Sequence, residues 1–211
     1  MATNKYISMS VIKRLPRYYR FLNNLKNEGI TRISSKELSN RMGLTASQIR
    51  QDLNCFGGFG QQGYGYNVTS LHEEIGKILG VDRGFKMILV GAGNLGRAIA
   101  THISFESRGF ELIGIFDKNE AIIGEMIKGI PIRSVDMLDD FCKENLPVVA
   151  ALCVPSSQSE ALIDQLVDLG IKGFWNFSHF DIAAKYPTIA VENMHLSDSI
   201  MTLSYQLMNK T

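Results

Sequence analysis

The stretch FKMILVGAGNLG, residues 85–96, decides the fold of this chain. Its apolar run at residues 87–90 is too short for a helix and leads into G-x-G-x-x-G, a pattern typical of a buried parallel strand that turns into a helix. Gly91 permits the tight turn, Gly93 lets backbone N–H groups approach a pyrophosphate, and Gly96 lets the helix lie close to the strand. A helix is expected over residues 94–107, with its positive end toward the phosphates. The predicted pyrophosphate site consists of Gly91, Ala92, Gly93, Asn94, Leu95 and Gly96.

The glycine pattern alone is weak evidence for a dinucleotide, but a second strand supports it. Residues 110–116 form another apolar run that ends in Asp117, 21 residues after Gly96. A carboxylate at that spacing would accept both ribose hydroxyls of an adenosine and would repel a 2′-phosphate, which favours NAD(H) over NADP(H). Alternatively, Asp117 is only a turn residue at the end of the strand.

The composition indicates a globular chain of 211 residues, 45% apolar and 20% charged, which suffices for one ordinary domain and a small one. The sequence has no apolar run of 18 residues, as a membrane span would need. Its first residues lack the apolar segment of a signal peptide. Both observations predict a cytoplasmic protein. Cys55, Cys142 and Cys153 are widely spaced, as expected for reduced thiols.

Charge is divided unevenly along the chain. Residues 1–80 carry 11 Lys/Arg and 5 Asp/Glu, a net charge of +6, whereas residues 81–211 carry 11 and 16, a net charge of −5. The basic first part favours a polyanionic partner.

The basic part is predicted to be a winged helix over residues 1–80. Apolar spacing predicts a helix over residues 10–27, with Pro16 in its first turn or at a kink. The capping patterns SSKE and TASQ, residues 34–37 and 45–48, begin two short helices joined at Gly43, the second extending over residues 46–56. The glycine-rich residues 56–66 predict a β-hairpin wing, and Asn67 and the residues after it cap a further helix over 71–79.

The polar residues of this part are of the types that contact DNA. Two alternatives remain: the helix pair is a plain packing unit, and the surface cations are merely solvated. Arg14 and Arg17 lie on the polar face of the first helix, where phosphates would be met. The outward residues of the second short helix are predicted to be Thr45, Ser47, Gln48, Arg50 and Gln51.

From residue 85 to residue 191 the sequence alternates strands and helices, which predicts a Rossmann-like, doubly wound parallel sheet. Ligands of such sheets bind at the carboxyl ends of the strands, so Val154, Pro155, Asn176 and Phe177 are expected near a nicotinamide ring. The terminal residues 192–211 carry an apolar seam that either closes the sheet or packs on a partner subunit.

Taken together, the chain resembles the Rex family of bacterial redox-sensing transcriptional repressors. The motifs that carry the resemblance are RLPRYYR (14–20), ASQIRQDL (46–53), FGGFGQQGYGYNV (56–68), GAGNLG (91–96), IGIFD (113–117), LCVP (152–155) and ENMHLSDSIMTLSY (192–205). The resemblance implies a non-enzymatic homodimer with swapped C-terminal helices. Such a dimer binds palindromic operator DNA while NAD⁺ is plentiful, and NADH releases it.

The resemblance also implies residue roles. Residues 46–53 would be the recognition helix, with Arg50 near bases or phosphates, and residues 61–64 the wing tip. His102 and His195 match a Tyr and an Asp of the family's nicotinamide-sensing region, and Gln51, Gln61 and Gln62 stand where many members are basic. The predicted DNA contacts are Arg14, Arg17, Ser35, Lys36, Thr45, Ser47, Gln48, Arg50, Gln51, Gln61, Gln62, Gly63 and Tyr64.

Two other functions compete with a repressor. A small NAD-dependent dehydrogenase would need a substrate domain, but only about 20 residues follow residue 191, and no acid-base pair stands out. A thiol switch would use Cys55 or Cys153. A metal site is not expected, because the four histidines lack ligand spacing.

Overall fold

The computed structural model describes residues 7–57, 60–61 and 64–209. The chain divides into two compact units, Met1–Asp82 and Arg83–Thr211.

Helices packed against a small sheet form the first unit. Strand β3 is central and pairs antiparallel with β1 and with β2, so the predicted strand pair of the wing is present. The predicted tip residues Gln62 and Gly63 lie outside the described residues. The elements are α1 (Met9–Ile12), α2 (Leu15–Asn27), β1 (Arg32–Ile33), α3 (Ser35–Met42), α4 (Ala46–Asn54), β2 (Gly60–Gln61), β3 (Gly65–Asn67) and α5 (Val68–Leu79).

The helix predicted over residues 10–27 is two helices. Pro16 lies in the first turn of α2, where it has no N–H to bond back to the carbonyl of Ile12, so α1 ends there. Strand β1 was not predicted. Its approach to the wing requires a glycine at position 65, where φ is +69° and a Cβ would lie 2.6 Å from the carbonyl oxygen of Ile33.

The two predicted capping boxes differ. Ser34 and Glu37 form a complete box, with the Ser34 Oγ accepting from the Glu37 N–H at 3.1 Å and the Glu37 carboxylate accepting from the Ser34 N–H at 2.8 Å. Thr45 Oγ1 likewise accepts from the Gln48 N–H at 3.1 Å. The side chain of Gln48, however, turns inward to Asp52 instead of back to Thr45, so this box is only half formed.

The second unit is a seven-stranded sheet in the order β10-β9-β8-β4-β5-β7-β6, parallel except for β6 against β7. The sheet is buried on both faces by apolar clusters, as expected for a doubly wound sheet. Its elements are β4 (Phe85–Val90), α6 (Asn94–His102), β5 (Phe110–Asp117), β6 (Met126–Ile127), β7 (Ile130–Ser134), α7 (Leu138–Asn145), β8 (Val149–Leu152), α8 (Ser159–Asp168), β9 (Gly173–Asn176), α9 (Ile182–Lys185), β10 (Ala190–Asn193) and α10 (Leu196–Met208).

Helix α6 is shorter than the predicted residues 94–107. Ile103 adopts an extended conformation, with φ −89° and ψ 129°, which ends the helix at His102. A short 3-10 turn, Glu106–Arg108, then leads to β5.

The terminal helix α10 buries none of its residues within the chain. The predicted seam of Leu196, Ile200, Leu203 and Leu207 is between 54% and 69% exposed, so α10 does not close the sheet. Among the described residues, no helix combines the length and the apolar character needed to cross a membrane.

Candidate functional sites

A cleft of about 950 Å³ opens at the carboxyl ends of β4, β5 and β8. The chain turns from β4 to β5 on one side and reaches β8 on the other, so the cleft lies at the point where the strand order reverses, the usual ligand position in such sheets. The predicted cofactor residues that line it are Gly91, Gly93, Asp117, Val154 and Pro155.

The three glycines of the loop meet different surroundings. Gly91 has φ +99°, and a Cβ there would lie 2.5 Å from the carbonyl oxygen of Cys153. A Cβ on Gly96 would overlap the carbonyl oxygen of Gly91. A Cβ on Gly93 would meet no atom within 4 Å. The fold itself therefore requires the first and third glycines, whereas the second borders open space in the cleft, where a pyrophosphate could approach.

Asp117 lies at the end of β5, beside the glycine loop. Its Oδ2 accepts from the backbone N–H of Ala92 at 2.6 Å, and its Oδ1 accepts from the N–H of Asn119 at 2.8 Å. The carboxylate therefore stabilises the turn and also faces the cleft, so the two interpretations of Asp117 are compatible.

The residues predicted near the nicotinamide on β9 do not line this cleft. Asn176 is 1% exposed, donates to the carbonyl of Phe180 at 2.9 Å and to Asn193 Oδ1 at 2.8 Å, and accepts from Ser178. Phe177 packs edge-on against Trp175, with ring centroids 4.8 Å apart. Asn176 therefore links β9 to β10, and Asn176 and Phe177 both contribute to packing within the second unit.

The two histidines of the predicted sensing region lie in different surroundings. His102 is exposed in the last turn of α6. His195, the residue before α10, stacks on His179 with ring centroids 5.0 Å apart and Nδ1 atoms 2.9 Å apart. His179 has φ +61°, so it occupies the left-handed region. No sequence signal joins residues 179 and 195, and the pairing was not predicted.

Cys153 lines the cleft, but it is not set up as a reactive thiol. Burial raises its pKa to about 12, so it remains protonated near neutral pH and is a weak nucleophile. In the first unit, the Cys55 thiol donates to the carbonyl oxygen of Gln51 at 3.3 Å. Within the described part of the chain, no group of three or more His, Cys, Asp or Glu side chains could hold a metal ion.

Several of the predicted DNA contacts bind other residues of the first unit. Asp52, 1% exposed, accepts from Arg14, Tyr18 and Gln48. Arg17 Nη2 donates to the carbonyl oxygen of Met42 at the end of α3. Arg50 Nη1 donates to Ser35 Oγ at 3.0 Å, between the two short helices.

The remaining predicted contacts are on the surface or in the wing. Lys36, Ser47 and Gln51 are exposed, and Thr45 caps α4. Tyr64 is 70% exposed, and the guanidinium of Arg32 lies 5.9 Å from the centre of its ring. Gln61 forms part of β2 through its backbone.

With this geometry established, known proteins identify the family. A family profile described as "Putative DNA-binding protein N-terminus" matches residues 6–54, and one described as "CoA binding domain" matches residues 82–180. The redox-sensing transcriptional repressor Rex of Clostridioides difficile (strain 630) is 54% identical over 205 residues, which is 97% of each chain. The chain belongs to the Rex family.

Solved structures agree over nearly the whole length. The crystal structure of the Rex-family repressor RSP with β-NAD⁺ and operator DNA has a TM-score of 0.89 and 49% identity, covering 97% of this chain and 94% of that one. RSP with β-NADH has a TM-score of 0.88 and 46% identity, covering 99% and 97%. The predicted Rex fold, a DNA-binding N-terminal unit before a Rossmann-like sheet, is confirmed. The relatives are named as repressors and not as dehydrogenases.

Proposed function

We propose that this chain is an NADH-responsive transcriptional repressor that binds palindromic operator DNA as a homodimer. The observation that carries the proposal is the near full-length match to RSP, which has been crystallised with β-NAD⁺ and operator DNA and with β-NADH. Within this proposal the chain has three parts: a winged helix over residues 1–80, an NAD(H) domain over 85–191 and a C-terminal helix over 192–211 that is swapped between subunits. Because a repressor must reach the operator DNA that it binds, we propose a cytoplasmic location.

The cleft fits a nicotinamide dinucleotide at its adenosine and phosphate end. Its volume of about 950 Å³ is within the range of ligand sites, roughly 300–1,000 Å³. The space beside Gly93 would admit the pyrophosphate close to the N-terminus of α6, and Asp117 would accept the ribose hydroxyls. The bound cofactor would supply the redox signal. We keep the proposal that four residues lie near the nicotinamide end of the cofactor, namely Asn176, Phe177, His102 and His195.

The first unit supports DNA binding through charge and arrangement. It carries a net positive charge. Its helices α3 and α4 meet at Gly43, a left-handed residue with φ +64°, as in a helix-turn-helix. Helix α4 would enter the major groove, and the wing tip, residues 61–64, would reach toward a minor groove. The predicted contact residues remain part of the proposal, except for Arg14 and Gln48, whose bonds to Asp52 point to another role.

Helix α10 supports the homodimer. Its apolar residues are more than half exposed in the single chain, including Met201 at 63% and Tyr205 at 69%. A continuous apolar surface of this kind is typical of a protein interface. We place the helix against a second copy of the chain, as the family resemblance implies.

The response to redox state would depend on a difference in affinity. NAD⁺ and NADH differ by one ring charge and by ring planarity, and a ligand shifts a two-state equilibrium only as far as its affinities for the two states differ. Moving DNA occupancy from nearly complete to nearly absent requires about 5.5 kcal/mol. Two cofactor sites in a dimer would divide that requirement. NADH would change the spacing of the recognition helices, which must match half-sites about one helical turn apart.

The proposal is tested by fluorescence anisotropy of a palindromic duplex that the wild-type chain selects from a randomised library. We expect NADH added over saturating NAD⁺ to release the duplex. An indifferent response would refute the sensing function. Turnover of NADH with a panel of carbonyl substrates would instead support a dehydrogenase, and loss of the NADH response on replacing Cys55 and Cys153 with Ser would support a thiol switch.

A further inference from the structure

The carboxylate of Asp52 is the centre of a buried polar network in the first unit. Its Oδ2 accepts from Arg14 Nε at 2.7 Å and from the Tyr18 hydroxyl at 2.9 Å. Its Oδ1 accepts from Arg14 Nη2 at 2.7 Å and from Gln48 Nε2 at 2.8 Å. Each oxygen therefore accepts two hydrogen bonds, and the pairing with Arg14 is bidentate.

The network joins elements that are far apart in sequence. Arg14 is the N-cap residue of α2, Tyr18 is one turn further along α2, and Asp52 lies on α4. Gln48 and Asp52 are four residues apart, so they share a face of α4. This face is the buried one, since Ile49 and Leu53 beside it are at most 1% exposed. Together with the buried Ile49 and Leu53, the bonds between Asp52 and α2 therefore fix the rotation of α4 about its axis.

A second set of bonds holds the partner helix. Arg17, also on α2, donates to the carbonyl oxygen of Met42 at the C-terminus of α3, where a cation is favoured by the helix dipole. Arg50 of α4 reaches Ser35 of α3 at 3.0 Å. Helix α2 thus contacts both helices of the pair through its arginines.

From these contacts we propose that Asp52 is a positioning residue for DNA recognition, and that Arg14 and Gln48 bind it rather than DNA. This inference rests on the proposed function. The two residues were predicted as DNA contacts because Arg and Gln are typical of such contacts. Asp52 holds the Nε and Nη2 edge of Arg14, and swinging the guanidinium away to a phosphate would leave a buried carboxylate without its counter-ion, which costs more than an exposed phosphate contact returns.

The protonation states agree with this arrangement. Burial acts to raise the pKa of Asp52, but the hydrogen bonds from Arg14, Gln48 and Tyr18 outweigh it and leave the pKa below its ordinary value. Burial and the bond to Asp52 both raise the pKa of Tyr18, so its hydroxyl keeps its proton and donates. At neutral pH the carboxylate is charged, as the network requires.

The first experiment asks whether Arg14 contacts a phosphate. The affinity for the duplex selected by the wild type is measured over a range of salt concentrations for three proteins: wild type, Arg14→Gln and the exposed control Lys36→Gln. We expect Arg14→Gln to lower affinity roughly tenfold or more, as for loss of a charged hydrogen bond. The slope of log K against log salt should stay at the wild-type value. A slope reduced by about 0.9, as for one lost phosphate contact, would overturn the inference.

The second experiment is a double-mutant cycle on Asp52→Asn and Arg14→Gln. If Arg14 acts through Asp52, the double variant binds no more weakly than the weaker single variant. If Arg14 contacts DNA independently, the two losses multiply, and the inference fails.

The third experiment separates positioning from stability. Wild type and Asp52→Asn are compared on the selected duplex and on a scrambled duplex of equal length. Misorientation of α4 lowers the ratio of selected to scrambled affinity, whereas a purely structural role leaves that ratio unchanged in the folded protein and would overturn the inference. NADH affinity, which reports on the second unit, should not change.

If Asp52→Asn does not fold, Gln48→Met provides the test, because it removes the Nε2 donor and keeps the ion pair. A positioning role weakens discrimination at every base pair that α4 reads, whereas a base contact by Gln48 would change the preference at one base pair only and contradict the inference. A wild-type chain that selects no duplex at all would instead overturn the proposed function, and this inference with it.

Discussion

The two units form their candidate sites from different parts of the chain. In the first unit, side chains that cross between helices set the position of α4, with Asp52 bound by residues 34 and 38 positions away. In the second, the cleft is lined by backbone at strand ends, where glycines allow β4, α6 and the Cys153 segment to approach. The first site should therefore fail when a polar atom is removed, and the second when a methyl group is added.

The largest effect we expect is loss of the Asp52 carboxylate. Asp52→Ala leaves the buried Tyr18 hydroxyl and the Arg14 guanidinium, whose side chain is 29% exposed, without their acceptor, which should destabilise the first unit by about 2–4 kcal/mol. The unfolding transitions of the two units are measured separately during denaturation, with the fluorescence of Trp175 reporting the second unit.

The matched control is Glu28→Ala. It breaks an ion pair with Arg41 whose side chains are 45% and 51% exposed, and such pairs contribute at most about 1 kcal/mol. Equal destabilisation by both substitutions would remove the distinction between the buried network and the surface pair.

The next effect tests the second unit. Gly96→Ala places a Cβ against the carbonyl oxygen of Gly91, so the strand-to-helix turn must shift, at a cost of about 1–3 kcal/mol or more. Gly93→Ala is the control, because its Cβ meets open space and should leave thermal unfolding nearly unchanged. NADH titration should nevertheless show weaker binding to Gly93→Ala, if a pyrophosphate occupies that space. Unfolding shifts of equal size would contradict the assignment of separate roles to the two glycines.

The same contrast explains what could be predicted from the sequence. The roles of Gly91 and Gly96 follow from a short local motif and that of Asp117 from its spacing to this motif, and the structure places these residues together. Asp52 was not recognised because Arg14 and Tyr18 are distant from it in sequence and because arginine and glutamine are also typical of DNA contacts. The pairing of His179 with His195 likewise depends on the position of α10.

Two other features could not be predicted for different reasons. Strand β1 has only two residues, too few to produce a periodic pattern, and its pairing partner is more than 30 positions away. The exposed seam of α10 was predicted, but which surface covers it is a property of an assembly and not of one chain.

A smaller effect concerns the choice of cofactor. Asp117→Asn keeps the shape of the side chain but removes the charge that disfavours a 2′-phosphate. We expect NADH to bind roughly tenfold more weakly, a change of about 1.4 kcal/mol, and the preference over NADPH to narrow. Asp140→Asn, which removes a charge elsewhere in the cleft, is the control for general electrostatics. A similar loss of preference in Asp140→Asn would assign the selectivity to the cleft as a whole.

The smallest expected effect is a dependence of stability on pH that should appear in the first unit. Of the four histidines only His72, in the first unit, is buried; its ring stacks on Tyr19, with centroids 4.2 Å apart, and its Nε2 has no hydrogen-bond partner among the described residues. Burial, and then the charge of Lys26, lower the pKa of His72 from 6.5, so the folded state favours the neutral ring.

The sign of the pH effect follows from that shift. Below pH 6.5 the unfolded chain takes up a proton that the folded unit does not, so stability of the first unit should fall as pH is lowered toward the depressed folded pKa. The slope for one proton cannot exceed about 1.4 kcal/mol per pH unit. His72→Phe keeps the stacked ring and removes the titration, so its unfolding free energy should not follow this slope. If wild type and His72→Phe decline in parallel as the pH is lowered from 6.5, the charge of another group controls the stability of the first unit.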